Sequence, residues 1–469
     1  MADPLWTSAD IARATGGAEG GGGFSATGVS IDTRSLEPGD LFVALAGVRD
    51  GHEFIAQAMA KGAAGALVSQ DADAPFVKAT GDVLAALEKL GVAARDRAVQ
   101  AKRGAVTGSV GKTSVTQAIM AGLSLAGPAH SSIKSYNNHI GVPLTLARMP
   151  ADTERAVFEI GMNHADEIRP LTKFVRPHAV VVTTVGPVHT ENFPDGEAGV
   201  ARAKAEIFDG LEPGGVAILN ADNRWFDLLK AEAERAGGRV LSFGTGEACD
   251  ARLIDFQAER GHAVVQARLH GKAMDFPILQ TGFHWGSNSM AVLLMLEALD
   301  VDLDKSLAAL GSFEPLAGRG AESNVALKGG AFTLIDESYN ANPISMASAI
   351  KTLGARETSG RRIVALTDML ELGPEAQAFH AGLAAPLEAA SIDLVFCAGP
   401  LMKSLWDALP PTRRGGYAET AAGLAPRLAQ AVEAGDVVMV KGSNGSKAGL
   451  IAQGLLALGD LATGSGEAG

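Results

Sequence analysis

A chain of 469 residues with 47% hydrophobic side chains can bury several cores, and at about 100–200 residues per domain it predicts three domains. The net charge of −13 argues against a basic nucleic-acid-binding face, and no apolar run approaches the roughly 20 residues of a membrane span. Cys249 and Cys397 lie far apart with no ligand spacing, so neither a disulfide framework nor a zinc site is indicated.

The opening "MADPLWTSAD" has no basic segment followed by an apolar core, so no signal peptide and a cytoplasmic location are expected. A glycine-rich loop at Gly20–Gly23 comes before the polar run "SIDTRS" (30–35) and a Gly-Asp turn. "LFVALAG" and "GALVS" read as strands. Together these elements predict a first domain over residues 1–100.

"GAVTGSVGKTSV" (104–115) follows. Ala105, Val106 and Thr107 are strand-prone, and Ser114 to Leu125 is apolar at helical spacing. A strand therefore runs through the Gly108–Gly111 turn into a helix N-terminus, where free N–H groups and the helix dipole favour an anion. Lys112 would reach the outer phosphates, and the Thr113 hydroxyl would sit on magnesium. Val106 occupies the place of the first glycine in the longer phosphate-loop pattern. The motif indicates a nucleotide but names no reaction.

Asn137 and Asn138, in "YNNHIGVPLTL", either bind a substrate or cap a turn ahead of a buried run. "VFEIG", "AVVVTTVG" and "GVAILNAD" read as buried strands of one parallel sheet, with polar or glycine ends at the edge where open α/β sheets bind ligands. Glu159 and His189 fall at that edge. They hold magnesium between phosphate oxygens, or they are a solvated carboxylate and a locally bonded loop histidine. Lys204, in "VARAKAEIFDGL", falls on an amphipathic helix and by itself reads as an exposed lysine. "AVLLMLEAL" (291–299) reads as a core helix. "AGRGAE" after Leu316 is a hinge candidate, dividing a central domain (101–316) from a third (317–469). Beyond it, "FTLIDESYNANP", "RIVALTDM", "LVFCAG" and "DVVMVKGS" repeat the strand-then-polar-end pattern, predicting a second doubly wound sheet. The tail "ATGSGEAG" is expected to be disordered.

Taken in order, "TGSVGKTS", "NNHIGVPLT", "EIGMNHADEI", "GPVHTENF" with "ARAKAEIF", "AGRGAE", "DESYNANPISM" and "TDMLELG" resemble the Mur ligases, ATP-dependent amide ligases of peptidoglycan precursor synthesis. The resemblance runs from about Ser30 to Gly445. It implies an α/β chain of three domains: a small N-terminal uridine-nucleotide domain, a central P-loop ATPase domain with a mainly parallel sheet, and a mobile Rossmann-like C-terminal domain. It assigns ATP phosphates to Gly108, Ser109, Val110, Gly111, Lys112, Thr113 and Ser114. Magnesium, in two sites, falls to Thr113, Glu159, His189 and a carbamylated Lys204. Asn288 matches an adenine-side residue, with Trp285 where the family often has another asparagine. Arg319 is implied near the γ-phosphate and Asp336 near the ribose, with Asn340 and Asn342 in the same motif. The catalytic set would be Lys112, Glu159, His189, Lys204 and Arg319.

Ser30, Asp32, Thr33 and Arg34 match the uridine-diphosphate contact segment, and Asn137 and Asn138 are candidate substrate amides. "SYNANP" and "DMLELG" match the branch whose substrates are a UDP-N-acetylmuramoyl-tripeptide and D-alanyl-D-alanine, and a monomer is expected. One departure stands near the C-terminus, where Lys441-Gly442-Ser443-Asn444 replaces the family's frequent Lys-Gly-Ser-Arg. Of the other readings, a sibling ligase adding a diamino acid would carry an Asp-Asn-Pro-Arg motif, absent here. Folylpolyglutamate synthases lack a segment like Ser30–Phe54. A P-loop switch without ligase activity is the reading from a different class.

Overall fold

The computed structural model describes residues 4–133, 135–259 and 261–464. Its centre is a nine-stranded sheet. From one edge, the strands are Lys272–Ile278, Ala263–Leu269, Ala251–Ala258, Arg239–Gly244, Val216–Asn220, Ala179–Val182, Lys102–Thr107, Arg155–Glu159 and Ala129–Ser131. The last seven run parallel. Val, Ala, Ile and Phe runs such as Ala179–Val182 are buried along their whole length because helices cover both faces. The three strands read from the sequence are present: the first runs two residues earlier, Arg155–Glu159, and the other two are shorter, with residues 183–186 leaving the sheet as a loop.

The first three strands form an antiparallel edge that the sequence reading did not anticipate. Its hairpin signal is His270-Gly271, both at positive φ (48° and 80°), the two-residue turn that matches strand twist. The expected core helix spans His284–Ala298 and lies on the central strand. Gly104 makes that close approach possible: a Cβ there would stand 2.9 Å from Met295 Sδ.

A five-stranded sheet covers Ala18–Lys78, parallel except for the pairing of Ala18–Gly20 with Phe76–Lys78. The third sheet has six strands, in the order Ala321–Leu327, Gly330–Glu337, Val437–Lys441, Arg362–Thr367, Leu394–Ala398 and Arg414–Ala418, and only its first pairing is antiparallel.

Trp6–Thr7 pairs antiparallel with Ser25–Ala26 as a small fourth sheet, and specific contacts join the parts. Trp6 Nε1 donates to Ala147 O (2.8 Å), and the Arg97 guanidinium lies 3.8 Å from the Trp6 ring centre. On the other side, Glu322 accepts from Thr281 Oγ1 (2.6 Å) and from both Arg356 Nη atoms (2.5 and 2.7 Å).

Of the tail expected to be disordered, residues 462–464 instead end the helix Gly449–Gly464, and residues 465–469 lie outside the described residues. Among the described residues no helix is long and apolar enough to cross a membrane.

Candidate active site

The strand Lys102–Thr107 ends at Gly108, and the helix Lys112–Ala126 begins four residues later, as the sequence predicts. The neighbouring strands Arg155–Glu159 and Ala179–Val182 lie on either side of it, so the loop occupies the point where strand order reverses. Gly108 (φ 148°) and Gly111 (φ 89°) turn the chain, and a Cβ on Gly108 would overlap the Thr183 hydroxyl. The loop is pinned from behind. Ser109 Oγ donates to Gly186 O (3.1 Å), and Thr183 Oγ1 donates to Val110 O (2.5 Å). Lys112 Nζ folds back onto Gly108 O (2.7 Å).

Three groups distant in sequence converge beside Lys112. Glu159 is 1% exposed, so it is not a solvated loop carboxylate. Asn137 Nδ2 donates to its Oε1 (2.6 Å), whereas its buried Oε2 has no partner. Lys204 is 2% exposed, which overturns the exposed-lysine reading. Burial, and next the Lys112 cation, push the Lys204 amine well below the ordinary lysine range. Burying an unpaired ammonium costs several kcal/mol, so the neutral amine is favoured. His189 sits in the left-handed region (φ 53°). Burial and then the Lys112 charge push its imidazole down to about 4, which leaves it neutral near pH 7. Glu371 Oε2, from the third sheet, lies 2.8 Å from His189 Nδ1.

Burial also lowers Lys112, with Arg319 adding to the effect and Glu159 opposing it. These couplings place the groups in one electrostatic cluster. Thr113 and Glu159 offer the oxygens that hard magnesium prefers, and the orphaned Glu159 Oε2 is a donor atom waiting for a cation. The residues present fit a magnesium site.

The third sheet supplies the opposite wall. Arg319 Nη2 donates to Thr113 Oγ1 (3.1 Å), so the two sheets meet at the phosphate loop. Between them opens a cleft of about 1050 Å³, lined among others by Ser114, Thr184, Asn220, Asn288, Glu337 and Asn340. Asn288 Nδ2 is buried without a partner. Trp285 packs against Phe313, ring centres 5.7 Å apart. Asp336 accepts from Ser338 N–H (3.0 Å) and does not line the cleft, whereas Glu337 does, receiving Lys441 Nζ at 3.1 Å. Asn342 caps the helix Pro343–Gly354. Asn444 is exposed at the start of a single 3₁₀ turn.

Other predicted residues lie apart from this cluster. Asn138 Oδ1 accepts from the Ile140 and Gly141 N–H groups, the turn-capping alternative. At the end of the strand Gly28–Ser30, Ser30 Oγ donates to Asp32 O (3.1 Å) and Thr33 Oγ1 to Gln57 Oε1 (3.2 Å). Arg34 pairs with Asp32 (Nη2–Oδ2 2.6 Å) and stays exposed. Sequence reasoning missed Thr183, His284, Glu337 and Glu371. The last two stood within motifs already quoted, whereas Thr183 carried only the signal of a polar strand end.

Residues 25–122 match the Mur ligase family catalytic domain, 106–296 the Mur ligase middle domain, and 324–444 the Mur ligase glutamate ligase domain. The chain is 30% identical over 447 residues to the UDP-N-acetylmuramoyl-tripeptide–D-alanyl-D-alanine ligase of Rickettsia prowazekii, covering 94% of this chain and 98% of that protein. It is 37% identical to the Escherichia coli protein of the same name, covering 79% and 81%. The crystal structure of MurF from Acinetobacter baumannii superposes with a TM-score of 0.84 at 27% identity, covering 96% and 99%. The chain belongs to the Mur ligase family, ATP-dependent ligases that form amide bonds. Within that family it is of the MurF type.

Gly108→Ala places a methyl against Thr183 at a backbone angle that side chains rarely adopt, a strain of about 1–3 kcal/mol. The loop relieves that strain in the free protein by shifting off its phosphate-binding geometry and must take it up again to bind. With about 1.4 kcal/mol being tenfold in affinity, direct titration is expected to give ATP binding weakened roughly tenfold. Unchanged ATP binding would remove the loop from the nucleotide site.

Proposed function

We propose that the chain joins D-alanyl-D-alanine to a UDP-N-acetylmuramoyl-tripeptide at the expense of ATP, the reaction named for its relatives. One observation carries the reading to this chain. The phosphate loop and Arg319 of the third sheet line one cleft, and the orphaned Glu159 carboxylate lies within electrostatic reach of Lys112 at the end of that loop. In this reading residues 1–100 hold the uridine nucleotide, with Ser30, Asp32, Thr33 and Arg34 as contacts. Residues 101–316 hold ATP, with Asn288 on the base, and residues 317–469 form a mobile lobe, with Asn340 on the nucleotide and Glu337 in the place expected for Asp336.

An oxygen of the tripeptide carboxylate attacks the γ-phosphorus. The bond from that phosphorus to the bridging oxygen breaks, leaving ADP and an acyl phosphate. The amine of D-alanyl-D-alanine then attacks the acyl carbon, phosphate departs with the bridging oxygen, and the nitrogen loses a proton. Much of the protein's contribution is positioning and charge neutralisation. Lys112 offsets phosphate charge, the loop N–H groups receive oxygens, and Arg319 meets the transferred group. Thr113, Glu159, His189 and a carbamylated Lys204 would hold magnesium at two sites, which supplies further neutralisation of the phosphate oxygens.

Lys204 earns its place in that set through its protonation state. A neutral amine has the lone pair that adds to the carbon of CO₂. The product, after loss of a proton, is an oxygen anion where an ammonium would repel a cation. Its burial beside Lys112 supports this reading, because both effects favour the neutral amine.

Phosphate release measured with each substrate omitted in turn tests the function. Release is expected only when ATP, the UDP-tripeptide and D-alanyl-D-alanine are all present, because the phosphate stays in the acyl phosphate until the amine displaces it. Steady hydrolysis of ATP alone would indicate a switch and not a ligase. For Lys204, ¹³C-bicarbonate should give a carbamate carbonyl resonance that Lys204→Ala lacks. The variant should lose most activity and regain part of it with formate or acetate. Full activity in Lys204→Ala, or no carbamate signal in the unaltered protein, would remove the carbamate.

A further inference from the structure

Four side chains close a ring across the cleft. Arg319 Nη2 donates to Thr113 Oγ1 at 3.1 Å, and Thr113 Oγ1 lies 3.2 Å from Ser135 Oγ. Ser135 Oγ lies 3.1 Å from the Tyr339 hydroxyl, and the Tyr339 ring centre lies 4.1 Å from the Arg319 guanidinium carbon. Thr113, in the first turn of the helix Lys112–Ala126, and Ser135, in a loop, belong to the central sheet's part of the chain, whereas Arg319 and Tyr339 come from loops of the third sheet. The ring therefore closes only when the two sheets are seated on each other.

Arg319 needs such support. It stands in a turn between Gly318 (φ 71°) and Gly320 (φ 95°), outside any helix or strand, on a side chain with many rotamers. Tyr339 meets it in two ways. Its N–H donates to Gly318 O (3.0 Å), tying the two loops, and its ring face lies against the guanidinium, where the ring quadrupole attracts a cation. Tyr339 remains 37% exposed, so it is not filling a core. The phenol hydroxyl then reaches past Arg319 to the only partner it has among the described residues, Ser135.

We propose that Tyr339 and Ser135 are positioning residues that set the Arg319 guanidinium against the phosphate loop. The hydroxyl pair registers that the lobes have met, and the ring holds Arg319 in the orientation that this meeting requires. The inference rests on the reading of Arg319 as the group that meets the transferred phosphoryl. It adds the means by which closure becomes an oriented charge.

A double-mutant cycle read in kcat, beside a direct ATP titration, tests it. Tyr339→Phe and Ser135→Ala each remove the same hydroxyl contact and are expected to lower kcat roughly three- to tenfold. The double variant should be no slower than the slower single one. Tyr339→Leu also removes the ring and should lower kcat further, to about 10–100-fold below the starting protein, while ATP affinity stays within about twofold. On an Arg319→Ala background, Tyr339→Leu should add almost nothing.

Amide exchange at Arg319 and Gly320, whose N–H groups donate to Leu316 O and Asp336 O, is read without any substrate. It should rise in Tyr339→Leu. That rise in a protein that forms no amide would support the positioning role while overturning the assigned reaction. Effects of Tyr339→Phe and Ser135→Ala that multiply, or an unaltered kcat and exchange rate in Tyr339→Leu, would overturn the positioning role itself.

Discussion

Half-buried Lys112 and buried Lys204 lie within electrostatic reach of each other, with Glu159 the carboxylate that opposes the shift of Lys112, and the site is organised around that pairing of two amines. In water the imbalance would be screened at little cost. Behind the sheet edge it is not, because charges interact more strongly where water is excluded. The site can relieve the strain by leaving Lys204 neutral or by admitting an anion. Both routes lead toward phosphate chemistry. The first prepares an amine that reacts with CO₂, and the second favours a polyphosphate at a helix N-terminus already rich in unpaired N–H groups.

The fold keeps this imbalance in place. Parallel strands buried on both faces bring Glu159, the phosphate loop and the segment before His189 to one edge, although 81 positions of sequence separate Gly108 from His189. The third sheet answers with a wall whose charges are unequal in effect. Lys441 is matched by Glu337, whereas Arg319 is left to face the phosphate loop. Among the described residues that line the cleft, the cation without a carboxylate partner is thus the one carried by a turn, where its position depends on how the two lobes meet.

The parallel strands, the loop-to-helix junction and the core helix were legible because each is written in local periodicity: buried runs for the strands, and helical apolar spacing for Ser114–Leu125 and Ala291–Leu299. The antiparallel edge was not. Its strands are half exposed and interrupted by charged residues, and their signal is concentrated in the short His270-Gly271 turn. The burial of Lys204 was hidden for another reason. The helix Glu197–Ala205 buries Val200 and alanines beside it, and small residues let a helix lie close without marking which lysine goes under. Asn137 and Asn138 looked alike in sequence, yet one donates to Glu159 and the other caps a turn, a difference set by where their loop crosses the sheet. Tyr339 lay within a recognised motif, but its contact with Ser135 spans 204 positions and exists only in the assembled cleft.

This cleft uses ATP to make one carboxylate oxygen part of a departing phosphate. The UDP-tripeptide labelled with ¹⁸O in its terminal carboxylate, supplied with ATP and D-alanyl-D-alanine, tests it most directly. Mass spectrometry of the released phosphate is predicted to find one ¹⁸O for every amide formed. Phosphate free of label, with the ¹⁸O instead in AMP or wholly retained in the peptide product, would contradict the account.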